Sequence, residues 1–165
     1  MKKIRLGDLL LERGLVKKEK LEEAYLLQKE TGEKLGNTLI GMEAIEESSL
    51  LALLAEQLNI PYIKLNQYEV DVELALLLPE TYARRFRAMI LGLSGESLLV
   101  GLADPLDIYA VDELGSLLNK SLNFAVVSES QLLSLIDKTY RHTQEITNFA
   151  EELSGEITEQ EEVSS

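Results

Sequence analysis

Two polar residues recur at the two ends of a segment that the chain contains twice. Arg5 and Gln28 enclose RLGDLLLERGLVKKEKLEEAYLLQ, and Lys34 and Gln57 enclose KLGNTLIGMEAIEESSLLALLAEQ, which begins 29 positions later. An arginine presents a planar fork that can pair with an acceptor group at two points, and a glutamine amide offers both a donor and an acceptor. The spacing therefore predicts a binding site, and the duplication indicates that two similar segments share the binding function.

The two copies agree in their apolar frame as well as at their ends. At the 29-residue offset five pairs are identical, namely Leu6/Leu35, Gly7/Gly36, Leu10/Leu39, Leu21/Leu50 and Gln28/Gln57. Three further pairs preserve charge or shape, namely Arg5/Lys34, Leu11/Ile40 and Val16/Ile45. Because there are only two copies, the pattern predicts a pseudo-symmetric pair and not a solenoid.

Each copy has the apolar spacing of a short helix, a tight connection and a longer helix. The leucines and other apolar residues recur at three- and four-residue intervals, which places them on one inward face. Gly14 and Gly32 supply helix stops. Residues 1–60 are thus predicted to form a four-helix bundle made of two helical-hairpin repeats.

After residue 60 the pattern changes to that of an α+β unit. Residues 61–69 are predicted to be extended, and helices are predicted from Asp71 to Leu78-Pro79 and from Glu80 to Phe86. Two strands, Ala88 to Leu93 and Leu98 to Ala103, are predicted to form a hairpin through Ser94-Gly95-Glu96-Ser97. A helix from Asp107 to Leu118, a third strand from Leu122 to Val127 and a last helix from Ser128 to about His142 are predicted to follow. Ser128 and Gln131 have the spacing of a capping box. We expect an α+β fold with a subdomain over residues 61–144, whose helices pack on one side of a three-stranded sheet.

Composition excludes several classes of function. The chain has 165 residues, 45% of them apolar, which is typical of soluble globular proteins, and it has no apolar run long enough for direct membrane insertion. A net charge of −13 argues against a nucleic acid polymer as partner, and no cysteine and one histidine argue against a metal site. Seven glutamates and no Lys or Arg follow Arg141, so residues 145–165 are predicted to be an acidic, disordered tail. The expected localisation is cytoplasmic, without a signal peptide.

The first copy resembles a motif of the N-terminal domain of the assembly ATPases of bacterial type II secretion and type IV pilus systems, including the mannose-sensitive haemagglutinin pilus ATPase. It opens with Arg5-Leu6-Gly7, ends with Gln28 and places Tyr25 where the family has a leucine; the aliphatic and glycine positions in between, Leu10-Leu11, Gly14, Leu15-Val16 and Leu21, are in register. In that family the resemblance implies that the motif binds cyclic di-GMP in tandem. A ligand with two guanines and two phosphates matches a protein with two copies.

The second copy departs from that motif at Lys34, Glu43 and Ala44, where the family has arginine, glycine and a larger aliphatic. A lysine keeps the charge and loses the planar fork of a guanidinium. The resemblance extends over residues 61–142, but no G-x-x-x-x-G-K-[ST] loop occurs, so we expect a regulatory domain that is not an enzyme and needs no cofactor. The predicted ligand-binding residues are Arg5, Leu6, Gly7, Leu10, Leu21, Tyr25, Gln28, Lys34, Leu35, Gly36, Leu39, Leu50, Leu54 and Gln57.

Two alternatives remain open at this stage. Each leucine taken singly is better explained as bundle core, a position that is compatible with ligand contact. The whole unit can also be a docking module for an inner-membrane platform protein with a partly degenerate nucleotide site. The expected partners are cyclic di-GMP together with a secretion or pilus motor ATPase or such a platform protein. Residues 84–87 (RRFR) form a compact basic patch that is interpreted as a solvated helix face, with contact to a partner or to the far side of the ligand as the alternative. Asp104 is interpreted as part of a turn, and His142 as an exposed cation at a helix end.

Overall fold

The repeat forms two helical hairpins in the computed structural model, which describes residues 5–141. Helices α1 (Leu6–Glu12) and α2 (Lys18–Thr31) come from the first copy, and α3 (Leu35–Gly41) and α4 (Glu47–Leu58) come from the second. Their apolar faces meet in one buried cluster, in which Leu10 and Leu39, the same position of the two copies, are fully buried. The four-helix bundle that the sequence predicts is confirmed.

The short helix of each copy ends in the same backbone motif. After α1, Gly14 has a φ of +66° while its N–H donates to the Leu11 carbonyl and the Leu15 N–H donates to the Leu10 carbonyl. After α3, Glu43 has a φ of 59° and makes the equivalent bonds. This is the Schellman arrangement, which places one residue in the left-handed region. Glycine adopts that conformation freely, so the second copy carries backbone strain that the first copy avoids.

The second half alternates short helices and strands. A 3-10 turn at Leu65–Gln67 precedes α5 (Val72–Ala75), α6 (Glu80–Phe86), β1 (Ala88–Ser94), β2 (Ser97–Leu102), α7 (Ile108–Leu118) and β3 (Leu122–Val126). A last helix, α8, begins at residue 129 and reaches residue 141, the last one described. Asp71 and Asp107 cap α5 and α7 by accepting from backbone N–H groups, as predicted.

The three strands form one mixed sheet in the order β1, β2, β3. β1 and β2 are an antiparallel hairpin, and β2 and β3 are parallel, joined by α7 as the crossover. Consecutive residues from Ala88 to Leu91 are all fully buried. Because neighbouring strand residues point to opposite faces, both faces of β1 are covered. Whether helices alone cover one of these faces is not decided by this burial, so the packing of the helices on one side of the sheet stays a prediction.

Two predicted helix boundaries also need correction. α5 ends at Ala75 and is followed by turn-like bonds from Leu77 and Leu78, so it does not continue to Pro79. The predicted capping box at the start of α8 does not form within residues 5–141: the Ser128 hydroxyl donates to the Glu47 carboxylate of α4 at 2.7 Å and lies 3.1 Å from the Ser130 hydroxyl, and it accepts no bond from a backbone N–H. The bond between Ser128 and Glu47 joins residues 81 positions apart, and it connects the residue before α8 to the bundle.

The bundle and the sheet are joined by a small apolar cluster and by backbone hydrogen bonds. Leu51 and Ala55 of α4 pack with Val126 of β3, and Ile60 and Tyr62 cover them. The segment after the bundle also pairs with β3, because the Val126 N–H donates to the Pro61 carbonyl and the Val126 carbonyl accepts from the Ile63 N–H. A domain boundary between residues 60 and 61 stays a prediction, and the acidic tail over residues 145–165 lies outside the described residues.

Candidate functional site

A cleft of about 820 Å³ lies between the bundle and the second half of the chain. This volume falls in the range of small-molecule sites, which is roughly 300–1,000 Å³. The bundle contributes residues from the junction between the two copies, and the second half contributes side chains from α6, from the turn after β2 and from the start of α8. The cleft therefore lies where the duplicated unit meets the sheet.

The cleft gathers seven of the fourteen predicted site residues. These are Leu6, Gln28, Lys34, Leu35, Gly36, Leu50 and Leu54. The end of the first copy and the start of the second are neighbours because only residues 29–33 separate them, and Gly32 and Glu33 of this spacer also line the cleft. The cleft thus surrounds the junction of the copies, and of the predicted residues in its lining the first copy contributes two and the second copy five.

The other predicted residues lie in the core or on the bundle surface. Leu10, Leu21 and Leu39 belong to the bundle core, with exposures of 0%, 4% and 0%. Arg5, Tyr25 and Gln57 are exposed and lie outside the lining of the cleft, although Arg5 immediately precedes the lining residue Leu6. Within residues 5–141, the side chains of Arg5 and Gln28 form no hydrogen bond or ion pair. Their polar groups are available to a ligand without displacing a protein partner.

The two glycines of the motif permit close packing between the helices of each hairpin. A Cβ at Gly7 would lie 2.2 Å from the Tyr25 hydroxyl oxygen, and a Cβ at Gly36 would lie 3.0 Å from a methyl carbon of Leu50. Both distances are shorter than ordinary contacts, so each glycine lets the longer helix approach the shorter one. In the described structure the space beside Gly7 is taken by a tyrosine of the same copy.

The lysine that opens the second copy is bound to the opposite wall of the cleft. Lys34 Nζ lies 2.5 Å from Asp104 Oδ2, and the other carboxylate oxygen of Asp104 accepts from the Leu106 N–H. The Asp104 side chain is 28% exposed and the Lys34 side chain 61%, so the pair lies at the surface of the cleft. The turn interpretation of Asp104 is incomplete, because its carboxylate also closes the cleft from the side of the sheet.

Two arginines of the α6 segment connect the cleft to α8. Arg84 donates to Glu80 at 3.0 Å and to Asp137 at 2.5 Å, and these hydrogen bonds, the one to Asp137 first, raise the pKa of Arg84 above its usual value. Arg87 donates to Glu129 at 3.0 Å and to the Arg84 carbonyl at 2.9 Å. Three side chains of residues 84–87 line the cleft, and those of Arg84 and Arg87 are 40% exposed. The run is thus a partly exposed surface whose cations lie at the cleft.

Arg85 differs from its two neighbours. Its guanidinium carbon lies 5.6 Å from the centre of the Tyr82 ring, and within the described part of the chain it forms no ion pair. Cation–π contact orients a guanidinium without neutralising its charge. Arg85 is therefore a positioned cation with a free charge in the cleft lining.

The charge of the cleft differs from that of the chain. Its lining holds four cations, Lys34, Arg84, Arg85 and Arg87, and four acids, Glu33, Glu47, Asp104 and Glu129. The whole chain carries −13. A locally balanced surface on an acidic protein repels an anion less than its surroundings do, and the mixed signs offer both donors and acceptors to a polar ligand.

The basic run of residues 84–87 allowed a ligand contact as an alternative, whereas nothing in the sequence assigned Asp104 to the site. The arginine-rich run of residues 84–87 and the acid at position 104 were visible, but only the tertiary fold brings them opposite the junction of the copies. Within residues 5–141 no group of His, Cys, Asp and Glu side chains has the arrangement of a metal site. In the same residues, no helix combines the length and apolar character needed to cross a membrane. His142 lies outside the described residues.

The chain combines a helical bundle that contains a duplicated motif with a small mixed sheet, and a charged cleft lies between them. This combination is that of a small α+β ligand-binding domain. The model of the MshEN domain family matches residues 58–146, and the chain belongs to this family. The matched range begins at the end of α4, so most of the duplicated motif precedes it. The resemblance that the sequence motif indicated is confirmed.

Solved structures agree over the bundle as well. A structure of MshE with cyclic di-GMP (cdg) has a TM-score of 0.74 and 42% identity to this chain, covering 83% of this chain and 99% of that one. The N-terminal domain of XpsE has a TM-score of 0.67 and 25% identity, covering 83% of this chain and 97% of that one. The α+β fold class is confirmed by these matches.

Curated relatives place the family in pilus assembly proteins. The type IV pilus assembly ATPase PilB of Myxococcus xanthus is 32% identical over 136 residues, which is 82% of this chain and 24% of the relative. PilB of Thermus thermophilus is 33% identical over 140 residues, which is 84% of this chain and 15% of the relative. The chain spans a quarter or less of these proteins, and it corresponds to an N-terminal domain of secretion ATPases and not to their catalytic part.

Proposed function

We propose that this chain is a cyclic di-GMP-binding regulatory domain of a type IV pilus or type II secretion assembly ATPase, acting in the cytoplasm. The observation that carries the proposal is the cleft of about 820 Å³, which joins the motif residues Gln28, Lys34 and Gly36 to the arginines of α6. The structural likeness to MshE, solved with cyclic di-GMP, supports the choice of ligand.

The chemistry of the cleft fits the parts of this ligand. Its arginines can bind the phosphates or the O6/N7 edge of guanine, because a guanidinium donates two parallel hydrogen bonds. Guanine also has N–H donors, and the carboxylate of Asp104 and the amide oxygen of Gln28 can accept hydrogen bonds from them. Leu6, Leu35 and Ile40, which are half-buried and line the cleft, supply the apolar surface that the flat faces of a base require.

We infer that the polar side chains of the two copies differ in their availability to a ligand. Arg5 and Gln28 have no partner within residues 5–141, whereas Lys34 already pairs with Asp104 at 2.5 Å. A ligand phosphate that takes Lys34 must first compete with this carboxylate. We therefore infer that the first copy contributes more binding energy than the second copy does.

Binding without catalysis completes the proposal. Among the described residues, the lining of the cleft contains no cysteine, histidine, serine, threonine or tyrosine that could act as a nucleophile. The proposed role is to report the concentration of cyclic di-GMP to a motor ATPase that is fused to the domain or bound by it. Docking to an inner-membrane platform protein is the alternative, and the occupied state of Lys34 favours it.

A matched pair of glutamine variants tests the proposal. Gln28 lines the cleft and Gln57, its equivalent in the second copy, does not. Calorimetric titration with cyclic di-GMP should therefore show that Gln28→Ala costs about 1–3 kcal/mol, or roughly five- to 150-fold in Kd, whereas Gln57→Ala changes Kd little. Arg5→Ala should also weaken binding, because Arg5 immediately precedes the lining residue Leu6 and its guanidinium has no partner within residues 5–141. Equal losses from both glutamines would place the ligand elsewhere, and no heat with the unmodified chain would leave docking as the better account.

A further inference from the structure

The two paired arginines of the cleft are also the charged attachments of the last helix. Arg87 holds Glu129 in the first turn of α8, and Arg84 holds Asp137 two turns later. Glu129 itself lines the cleft. Any anion that enters the cleft and approaches these guanidinium groups therefore meets the carboxylates of α8 at the same place.

The two ion pairs that hold α8, Arg84–Asp137 and Arg87–Glu129, are exposed enough for another anion to replace the carboxylate. The side chains of Arg84 and Asp137 are 40% and 49% exposed, and those of Arg87 and Glu129 are 40% and 35% exposed. Ion pairs at such exposed positions contribute little net stability, because water and salt screen them. A phosphate can replace a carboxylate on a guanidinium with the same charge and a similar geometry.

The remaining contacts keep α8 in place when the charged ones exchange. Leu132 and Ile136 are fully buried in the core of the second half. The Tyr140 hydroxyl donates to the Leu78 carbonyl, and Ser128 is bound to Glu47 at 2.7 Å. The face of α8 that meets α6 can thus loosen without detachment of the helix, from which the sequence continues through residues 142–165.

We propose that an anionic ligand in the cleft and the carboxylates of Glu129 and Asp137 compete for Arg84 and Arg87, so that occupancy of the cleft loosens the α6 face of α8. This inference rests on the proposed function, whose ligand carries two phosphates. Because coupling between two equilibria is reciprocal, weakening the α8 carboxylates must strengthen ligand binding to the same extent.

The sign of one substitution effect decides between competition and support. In Glu129→Gln and Asp137→Asn, an amide oxygen still accepts from the guanidinium while the competing charge is removed. Competition predicts that each variant binds cyclic di-GMP about two- to fivefold more tightly, the size expected for an exposed ion pair. If the carboxylates instead hold the arginines in a binding-ready position, the same variants bind more weakly. Glu96→Gln, in the turn between β1 and β2, makes the same charge change outside the cleft lining and should leave Kd unchanged.

Hydrogen exchange of the unmodified chain gives a second test that needs no variant. With saturating cyclic di-GMP, amides of residues 129–141 should exchange faster while those of α3 and α4 exchange more slowly. Binding with unchanged or slower exchange in α8, or with weaker affinity in the two variants, would overturn the inference and leave the proposed function intact. No binding by the unmodified chain would overturn both.

Discussion

Position 43 provides a direct measure of how the duplicated sequence constrains the fold. Glu43 has a φ of 59°, whereas its equivalent Gly14 has a φ of +66°. A residue with a Cβ pays about 1–2 kcal/mol in this region, while glycine loses roughly 0.4–1 kcal/mol more to the entropy of the unfolded chain. Glu43→Gly should therefore raise the free energy of unfolding by about 0.5–1 kcal/mol, which for a chain of this size raises Tm by about 1–4 °C.

The reverse change in the first copy should have the opposite sign. A Cβ at Gly14 would meet no atom within 4 Å, so the cost of Gly14→Ala comes from the backbone alone and should be about 1 kcal/mol. Urea denaturation followed by circular dichroism measures both values. Glu43→Gln controls for charge, because it keeps the Cβ and should leave stability nearly unchanged. A gain with Glu43→Gln as large as that with Glu43→Gly would refute the argument from backbone strain.

Three further predictions concern the site and its supports. Lys34→Arg should tighten cyclic di-GMP binding and Arg5→Lys should loosen it, because only a guanidinium makes two aligned bonds; titrations giving one Kd for all three proteins would show that neither side chain grips the ligand. Arg85→Ala should weaken binding by about fivefold or more and make Kd less dependent on salt, since this cation has no carboxylate partner within residues 5–141; an unchanged salt dependence would exclude it from the site. Burial raises the pKa of Tyr140 to about 12, so the protonated phenol stabilises the fold fully below pH 10 and progressively less from pH 10 to 12. Tyr140→Phe should cost about 1 kcal/mol at pH 8, and its deficit relative to the unmodified chain should shrink at pH 11; a constant deficit would contradict this.

The sequence was most informative where local chemistry decides the structure. The apolar spacing gave the four bundle helices, the aspartates at positions 71 and 107 cap helices as predicted, and the hairpin between β1 and β2 forms around Gly95. Each of these features depends on residues a few positions apart. Ser128 shows the limit of such reasoning, because its hydroxyl bonds to Glu47 and not to the nearby backbone.

The candidate site was only half visible for the same reason. A motif repeated at a fixed offset identified Gln28 and Lys34, since its evidence lies in the chain itself. It could not show that Lys34 pairs with Asp104, 70 residues away, or that residues 84–87 face the junction of the copies. The departures at Lys34, Glu43 and Ala44 already indicated unequal copies, and the fold adds that the second half of the chain lies against the junction between them.

The central claim is that cyclic di-GMP occupies the cleft between the bundle and the sheet. Nuclear magnetic resonance titration of the ¹⁵N-labelled chain tests it most directly, because the amide shifts locate the ligand as well as detect it. The claim predicts saturation at one ligand per chain, with the largest shifts at Leu6, at residues 28–37 and at residues 84–87 and 104–106. An absence of shifts at high ligand concentration, or shifts confined to residues outside the cleft lining, would contradict it.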